Sequence, residues 1–236
     1  MSATPWVLWV AGSVAIMLVA LGMPLAIRGW KALGRKDREV SLRKVHTGEI
    51  PRVGGFVLML GFAIVAIRGL AGTTELSAAH EWFSRNSITG AVLGALICGG
   101  FGLFDDLVGL RARYKLAGQL FAASLAVFGF GLQWEALAAL LGPASVLADP
   151  LTVLFLVAGV NAINLSDGLD GLAGGITAIG LMVVVLAAAS HGAAAVAVGW
   201  IAATALGAVL GFLLHNRHPA RVFMGDAGSY FLGFLL

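Results

Sequence analysis

The sequence predicts an all-α fold, a polytopic transmembrane helical bundle that forms one domain over residues 1–236. Composition and the length of the apolar stretches lead to this prediction. Hydrophobic residues make up 59% of the chain and charged residues only 11%. A soluble domain carries roughly 25% charged residues, so an ordinary water-soluble fold is excluded. Disorder and collagen are excluded as well, because the chain is too apolar for disorder and its 33 glycines lack a three-residue period.

Apolar stretches that are long enough, or nearly long enough, to cross a membrane recur along the chain. A helix needs about 20 apolar residues to cross the hydrocarbon core. The first stretch is predicted to be a span rather than a signal peptide, because residues 1–5 contain no basic residue and no cleavage pattern follows. Seven complete spans and a partial eighth, which begins near 229, are predicted. The seven cover 6–27, 53–71, 87–104, 116–132, 150–165, 172–190 and 193–214.

The distribution of Lys and Arg predicts the orientation of the bundle. Short loops that are rich in these residues stay on the cytoplasmic side of a membrane. All but two of the 15 Lys and Arg residues lie in the segments 28–52, 105–115 and 215–228. These segments and 166–171 are therefore predicted to be cytoplasmic, with the N-terminus outside. The stretch 134–141 is predicted to be either a short helix at the opposite interface or a connector without a role.

Five aspartates are distinctive among the 12 acidic residues, because each lies at a junction on the predicted cytoplasmic face: Asp105, Asp106, Asp167, Asp170 and Asp226. Acidic side chains at membrane depth are costly and tend to be functional. We expect the five to converge on one cation and one diphosphate. The alternative is that each pair merely solvates the end of a helix, and for a single pair this is an equally good interpretation.

The middle segment, N-A-I-N-L-S-D-G-L-D-G at 161–171, carries a polar side chain at every third residue. A three-residue step drifts by about 60° around an α-helix, so these side chains cannot share one helical face. The helix is predicted to tighten or end here, and the glycines that follow permit a turn. Carboxamides followed by carboxylates suit a hard cation and sugar or base recognition. A glycine-rich turn with a capping Asp would explain only one of the two aspartates.

The first and third segments combine carboxylates with cations. Asp105 and Asp106 are adjacent and diverge in direction, so one is expected to coordinate an ion while the other acts as a base or orients a partner. The cations after them either hold a phosphate or simply satisfy the orientation rule: Arg111, Arg113 and Lys115. The third segment offers phosphate donors, an aromatic ring and a carboxylate, at His215, Asn216, Arg217, His218, Arg221, Phe223 and Asp226.

Four motifs, in this order, resemble the polyprenyl-phosphate N-acetylhexosamine-1-phosphate transferases (glycosyltransferase family 4), of the undecaprenyl-phosphate GlcNAc-1-phosphate type. They are H-T-G-E-I-P-R-V-G-G at 46–55, F-D-D-L-V-G-L at 104–110, N-A-I-N-L-S-D-G-L-D-G-L-A-G-G at 161–175 and V-F-M-G-D-A-G-S at 222–229. The resemblance covers nearly the whole chain. The family continues with further spans and a His-rich loop, which the sequence up to Leu236 is expected to lack.

The resemblance implies a multi-pass enzyme of the bacterial inner membrane with its active site on the cytoplasmic face. Such an enzyme transfers N-acetylhexosamine 1-phosphate, here expected to be GlcNAc-1-phosphate, from a UDP-sugar to undecaprenyl phosphate. It needs Mg²⁺ or Mn²⁺, releases UMP and starts a cell-envelope glycan such as O-antigen or a teichoic acid linkage unit. The implied partners are the UDP-N-acetylhexosamine, undecaprenyl phosphate and the lipid bilayer. A homodimer is left open, and no nucleic-acid partner is expected.

The resemblance also implies roles for individual residues. Asp105 and Asp106 would be catalytic, in that they position or deprotonate the lipid phosphate. Asp226 and Asp167 would bind the metal. The substrates would be bound by Lys44, His46, Arg52, Lys115, Asn164, Asp167, Asp170, Asn216, Arg221 and Phe223.

Alternative functions remain open from the sequence. The first is phospho-MurNAc-pentapeptide transfer in peptidoglycan synthesis, whose enzymes typically carry P-T-M-G-G where this chain has P-R-V-G-G at 51–55. The second is a polytopic transporter. A transporter should place its acidic residues within the spans and show an internal repeat, and this sequence does neither. A structural membrane scaffold would not need five aspartates at one surface.

Overall fold

The computed structural model describes residues 4–32, 50–72, 85–191 and 195–236. The helices among them are α1 (Thr4–Ala32), α2 (Gly54–Gly72), α3 (Arg85–Val108), α4 (Ala112–Ser124), α5 (Glu135–Leu141), α6 (Ala148–Ser166), α7 (Leu172–Ser190), α8 (Val196–Asn216) and α9 (Gly225–Leu235). A π-helical turn, Leu125–Gly129, follows α4, and a 3-10 segment, Gly142–Leu147, joins α5 to α6. Within the described ranges, the predicted all-helical fold class is confirmed.

Five of the described helical stretches are long and apolar enough to cross a membrane: Trp6–Ala32, Asn86–Val108, Glu135–Ser166, Leu172–Ser190 and Val196–Asn216. A shorter apolar helix covers Gly54–Gly69. These helices support a membrane-integral bundle. The count of seven spans with a partial eighth, and the outside position of the N-terminus, stay predictions.

The fourth predicted span, 116–132, differs most from the structure. The helix begins earlier, at Ala112, its α-helical part ends at Ser124, and a π-helical turn continues to Gly129. A π turn shifts the hydrogen-bond register by one residue, and apolar composition carries no signal for such a shift. The stretch 134–141 does contain a helix, α5, which has no buried residue; its place at a membrane interface stays a prediction.

Helices α8 and α9 form the centre of the bundle. Helix α8 packs against α1, α2 and α7, while α9 packs against α2, α3 and α6. Most side chains of α8 and nearly all of those of α9 are buried. Phe62 on α2 and Phe231 on α9 meet edge to face, with ring centroids 4.9 Å apart. The loop that joins α8 to α9 therefore emerges from the middle of the bundle, with the neighbouring helices around it.

Small residues let α1 and α8 approach closely. A Cβ atom added to Gly207 would lie 2.2 Å from the carbonyl oxygen of Gly12. Transmembrane helices commonly pack through small residues, because lipid gives no hydrophobic drive for helix association and close backbone contact takes its place. This contact therefore requires glycine at position 207.

Replacing Gly207 by Ala is expected to push α1 and α8 apart and to lower the melting temperature of the purified protein by several degrees. The new methyl group would overlap main-chain atoms, which move less easily than a side chain. Gly100→Ala on α3 is the matched control, since a Cβ atom there meets nothing within 4 Å and Ala favours a helix. Thermal unfolding of both variants checks the prediction, and an unchanged melting temperature for Gly207→Ala would contradict it.

Candidate active site

Turns from distant parts of the chain meet at one end of the bundle. They are the end of α3, the segment after α6, the loop before α9, and residues 50–55 at the start of α2. Main-chain hydrogen bonds join the last two: the Phe223 N–H donates to the Pro51 carbonyl (2.9 Å), the Gly54 N–H to the Phe223 carbonyl (3.1 Å), and the Gly55 N–H to the Met224 carbonyl (2.9 Å). Two of the sequence motifs therefore lie side by side.

Asp106 holds the first turn of α9. Its carboxylate oxygens accept hydrogen bonds from the backbone N–H groups of Asp226 and Ala227, at 3.0 and 2.9 Å. N–H groups in the first turn of a helix have no partner within the helix, so a carboxylate at this point stabilises it. Gly225 makes the approach possible, because it adopts a φ of 72° and a Cβ atom on it would lie 2.7 Å from Oδ2 of Asp106. Asp106 thereby positions Asp226.

Asp226 is bound from two sides. Its Oδ2 accepts a hydrogen bond from Nζ of Lys115 at 3.0 Å, and its Oδ1 accepts one from Nδ2 of Asn164 at 2.9 Å. Lys115 also forms an ion pair with Asp105, whose side chain is buried. One ammonium group therefore bridges carboxylates from α3 and α9, and Asn164 connects α6 to the same group.

Asp167 lies directly after α6, which ends at Ser166 as the three-residue spacing predicted. Burial raises the pKa of Asp167 from 3.8 to about 7, and the nearby charges of Asp226 and Asp106 add to the rise, while the backbone N–H of Gly225 and the charge of Arg52 oppose it. This end of the bundle therefore concentrates negative charge.

In metal-free buffer, the melting temperature is expected to fall as the pH rises from about 4 to about 7. The folded protein keeps the Asp167 proton up to about pH 7, whereas the unfolded chain releases it near 3.8. The folded state therefore binds more protons, and the stability that this gives is complete below 3.8 and lost as the pH rises through about 7. Thermal unfolding across this range should show a flatter dependence for Asp167→Asn. Identical slopes for the variant and the wild type would contradict the burial of this acid.

The donor set fits a hard divalent cation that is shared with a phosphate. In the ranges that the structure describes, no group of three or more His, Cys, Asp or Glu side chains is arranged to hold a metal ion by itself. Mg²⁺ is usually bound through one or two carboxylates together with substrate phosphates, rather than by a full protein cage. Asp226 and Asp167 could supply oxygen ligands of that kind. Burial is the main cause of the raised pKa of Asp167, and a cation would offset the charges of Asp226 and Asp106 that add to it.

Asp170 contacts the loop before α9. Its Oδ2 accepts a hydrogen bond from the backbone N–H of Ala220 at 3.1 Å and lies 2.9 Å from Nδ1 of His218. The Asp170 side chain is only 5% exposed, whereas that of His218 is 77% exposed. Asp170 therefore joins the turn after α6 to the loop before α9, and its convergence with the other four aspartates on one cation stays a prediction. Its assignment to the substrate stays a prediction.

Both polar atoms of the Asn216 side-chain amide form hydrogen bonds with the main chain. Its Oδ1 accepts a hydrogen bond from the backbone N–H of Gly171 at 3.0 Å, and its Nδ2 donates one to the carbonyl of Val222 at 2.8 Å. The side chain is buried. Asn216 thus fastens the turn before α7 to the segment before α9, and its predicted contact with a nucleotide stays a prediction.

The remaining predicted residues lie around this cluster or outside the described ranges. Phe223 is half-buried in the segment that pairs with residues 50–55. Arg52 is also half-buried, and its positive charge acts to lower the pKa of Asp167. Arg221 is exposed and lines a cavity against α1. Lys44 and His46 lie outside the described residues.

The sequence did not predict a buried pair of side-chain amides next to the residues that contact Asp226. Nδ2 of Asn161 donates a hydrogen bond to Oε1 of Gln119 at 2.7 Å, and Gln119 is fully buried. Gln119 lies one turn after Lys115 on α4, and Asn161 lies one turn before Asn164 on α6. The pair therefore fixes the register in which Lys115 and Asn164 both reach Asp226. A Gln within an apolar helix was the available signal, because polar side chains join helices inside membranes.

Comparison with known proteins gives consistent matches. The family described as "Glycosyl transferase family 4" matches residues 88–236. The chain is 36% identical over 228 residues to the "probable undecaprenyl-phosphate N-acetylglucosaminyl 1-phosphate transferase" of Bacillus subtilis. It is 39% identical over 208 residues to the "decaprenyl-phosphate N-acetylglucosaminephosphotransferase" of Mycobacterium leprae. It is 36% identical over 251 residues to the "phospho-N-acetylmuramoyl-pentapeptide-transferase" of Anoxybacillus flavithermus.

The matches extend over most of this chain but over less of the relatives. They cover 95%, 82% and 96% of this chain for the three proteins in turn. They cover 60% of the Bacillus protein, 51% of the Mycobacterium protein and 72% of the Anoxybacillus protein. The chain thus spans between half and three quarters of the length of these relatives.

Proposed function

The chain belongs to glycosyl transferase family 4, and on that premise we propose that it transfers a sugar 1-phosphate from a UDP-sugar to a polyprenyl phosphate. The proposed donor is UDP-GlcNAc and the proposed acceptor is undecaprenyl phosphate. The products are then lipid-diphosphate-GlcNAc and UMP, at the first step of a cell-envelope glycan. The names of the Bacillus and Mycobacterium relatives and the P-R-V-G-G sequence at 51–55 support this donor.

A second UDP-sugar donor substrate, UDP-MurNAc-pentapeptide, is also supported. The Anoxybacillus relative is named for transfer of phospho-N-acetylmuramoyl-pentapeptide, and the chain covers 72% of its length. The two donors share the UDP-activated diphosphate and differ at the sugar. The transporter and scaffold alternatives lose support, because the family is one of transferases.

The observation that carries the proposal is the bridging of Asp105 and Asp226 by Lys115, with Asp106 and Asp167 beside them. Phosphoryl transfer requires positioning and neutralisation of charge, more than covalent chemistry by the protein. The Lys115 ammonium group, together with carboxylates that can bind one cation, provides both positioning and charge neutralisation. Asn164 adds a fixed donor on the same carboxylate.

The proposed reaction forms one bond to phosphorus and breaks another. A phosphate oxygen of the polyprenyl phosphate attacks the β-phosphorus of the UDP-sugar. The bond from the β-phosphorus to the bridging oxygen breaks, and UMP leaves with that oxygen and its electron pair. A divalent cation, when bound, would neutralise the negative charge that builds on the diphosphate oxygens during this step.

The residues at this site have different proposed roles according to their contacts. Asp226 and Asp167 would hold the cation. Lys115 would donate to a phosphate oxygen, and Asp105 would keep its ammonium group in place. Asp106 is expected to act on the lipid phosphate, and because both of its oxygens accept main-chain N–H groups of α9, we propose that it also positions Asp226.

Release of UMP tests the proposal. The purified protein in lipid nanodiscs would be given undecaprenyl phosphate and Mg²⁺ with UDP-GlcNAc, UDP-MurNAc-pentapeptide or UDP-glucose. We expect release with UDP-GlcNAc and little with UDP-glucose, which lacks the N-acetyl group. Faster release with UDP-MurNAc-pentapeptide would reassign the donor. Absence of release with every UDP-sugar would overturn the proposal.

We also propose that the protein lies in a bacterial inner membrane with the aspartates on the cytoplasmic side. The support is the excess of Lys and Arg in the sequence segments 28–52, 105–115 and 215–228. A single cysteine introduced as Val108→Cys, in a Cys98→Ala background, should react with a membrane-impermeant maleimide only after the cells are permeabilised. Strong labelling of position 108 in intact cells would show that the aspartates lie on the opposite side of the membrane.

A further inference from the structure

A cavity of about 410 Å³, lined by both cationic and apolar side chains, lies outside the group of four aspartates. It is bounded by the last turns of α1, by Ile50 and Pro51, and by the loop between α8 and α9. The N–H of Phe223 donates to the carbonyl of Pro51, so this cavity lies at the same end of the bundle as the aspartates. None of its described lining residues is acidic.

Cations line one side of the cavity. Arg28 and Lys31 are three residues apart on α1 and so lie on one face of that helix. Arg221 lines the cavity from the loop after α8, and His215 lines it from the last turn of α8. The Arg221 N–H donates to the His215 carbonyl at 2.9 Å. The lining therefore collects positive charge from two separate elements.

Main-chain positions around the cavity are tied together. Nε2 of His215, in the last turn of α8, lies 3.1 Å from the carbonyl oxygen of Ala20 and donates to it, which ties α8 to α1. The backbone N–H of Arg221 donates to the carbonyl of His215, which holds the start of the loop against the end of α8. The main chain that carries Arg28, Lys31 and Arg221 is therefore positioned by the packing of α1 against α8, while their exposed side chains can reach an anion.

The other side of the cavity is apolar. Pro24, Ile27, Ile50 and Pro51 form it. Helix α1 is one of the candidate membrane spans and its last turn carries Lys31. The cavity therefore lies where a span ends, which is the depth of lipid headgroups in a bilayer. A free nucleotide or inorganic phosphate would leave this apolar side unmatched, whereas a lipid phosphate with its glycerol and acyl chains would cover it.

We propose that this cavity binds the phosphate headgroup of an anionic phospholipid. The phosphate contacts Arg28, Lys31 and Arg221, and the start of an acyl chain covers Ile27 and Ile50. The nearby carboxylates would repel such an anion, so the lipid occupies the cationic side of this end of the bundle only. Arg221 then contacts the membrane lipid, in place of the substrate contact that the sequence implied. The proposal needs no turnover and does not rest on the proposed reaction.

The test measures lipid binding by delipidated protein in neutral detergent. Native mass spectrometry and thermal unfolding would follow titration with phosphatidylglycerol, phosphatidylcholine, undecaprenyl phosphate or UDP. We expect phosphatidylglycerol to bind and to raise the melting temperature more than phosphatidylcholine. Arg28→Gln and Arg221→Gln should each weaken phosphatidylglycerol binding about tenfold or more, since each removes a charge-assisted hydrogen bond to phosphate.

Two further variants control for charge and folding. Arg113→Gln removes an exposed cation that stacks on Tyr114 and does not line this cavity, so binding should be nearly unchanged. Arg28→Lys keeps the charge and should retain most of the affinity, which separates lost binding from lost folding. Equal weakening by Arg113→Gln would show diffuse attraction and overturn the proposal. Arg28-dependent binding of undecaprenyl phosphate or UDP, without phosphatidylglycerol, would overturn it as well.

Discussion

Replacing Asp226 by Asn is expected to lower the rate of UMP release about a hundredfold or more. Asn keeps the shape of the side chain but removes the charge that meets Lys115 at 3.0 Å and that would hold a cation. Loss of one group that stabilises charge in a transition state commonly costs about that factor. Rates would be measured at saturating substrate in nanodiscs, beside Asp167→Asn, which should show a loss of the same order.

Matched variants separate a loss of chemistry from a loss of structure. Glu135→Gln removes an exposed carboxylate at the start of α5, away from Lys115 and its partners, and should leave the rate nearly unchanged. The melting temperature of Asp226→Asn should stay close enough to that of the wild type for the protein to be folded in the assay. Near-normal turnover of both Asp226→Asn and Asp167→Asn would show that the site is assigned wrongly.

Removal of divalent cations is expected to abolish turnover. Four aspartates lie at this end of the bundle, while Lys115 is the cation that contacts two of them. A UDP-sugar diphosphate and a lipid phosphate would bring further negative charge, and like charges at contact distance repel strongly where water is scarce. A divalent ion on Asp226 and Asp167 would turn this repulsion into attraction. UMP release should therefore stop in EDTA.

Adding Mg²⁺ or Mn²⁺ in excess of the EDTA should restore the rate, and adding the same concentration of K⁺ should not. EDTA that is already saturated with Mg²⁺ is the matched control for effects of the chelator on the nanodisc. Full turnover in EDTA would contradict the assignment of a shared cation to Asp226 and Asp167. In that event Lys115 would be the only described cation in direct contact with Asp226.

Composition and residue spacing were enough to predict the fold class and to identify the end of the bundle where polar residues gather. Hydrophobic content and charge content decide between membrane and water regardless of the detailed packing. The three-residue spacing of 161–171 predicted that α6 tightens or ends there, because helical geometry alone forbids one polar face at that spacing, and α6 does end at Ser166. The segments rich in Lys and Arg indicated which junctions share a side of the membrane, and four of the aspartates do lie together.

The partners of each of these side chains, by contrast, follow from how the helices pack. Asp105 and Asp106 are neighbours in sequence, yet Asp105 pairs with Lys115 while Asp106 caps α9, because adjacent side chains on a helix point in different directions. Asp170 is three residues from Asp167, but the turn between them sends it to His218. Each of these contacts depends on the rotation and register of two helices that are distant in the chain. Composition and spacing constrain single helices, whereas packing of side chains between helices sets their rotation and register.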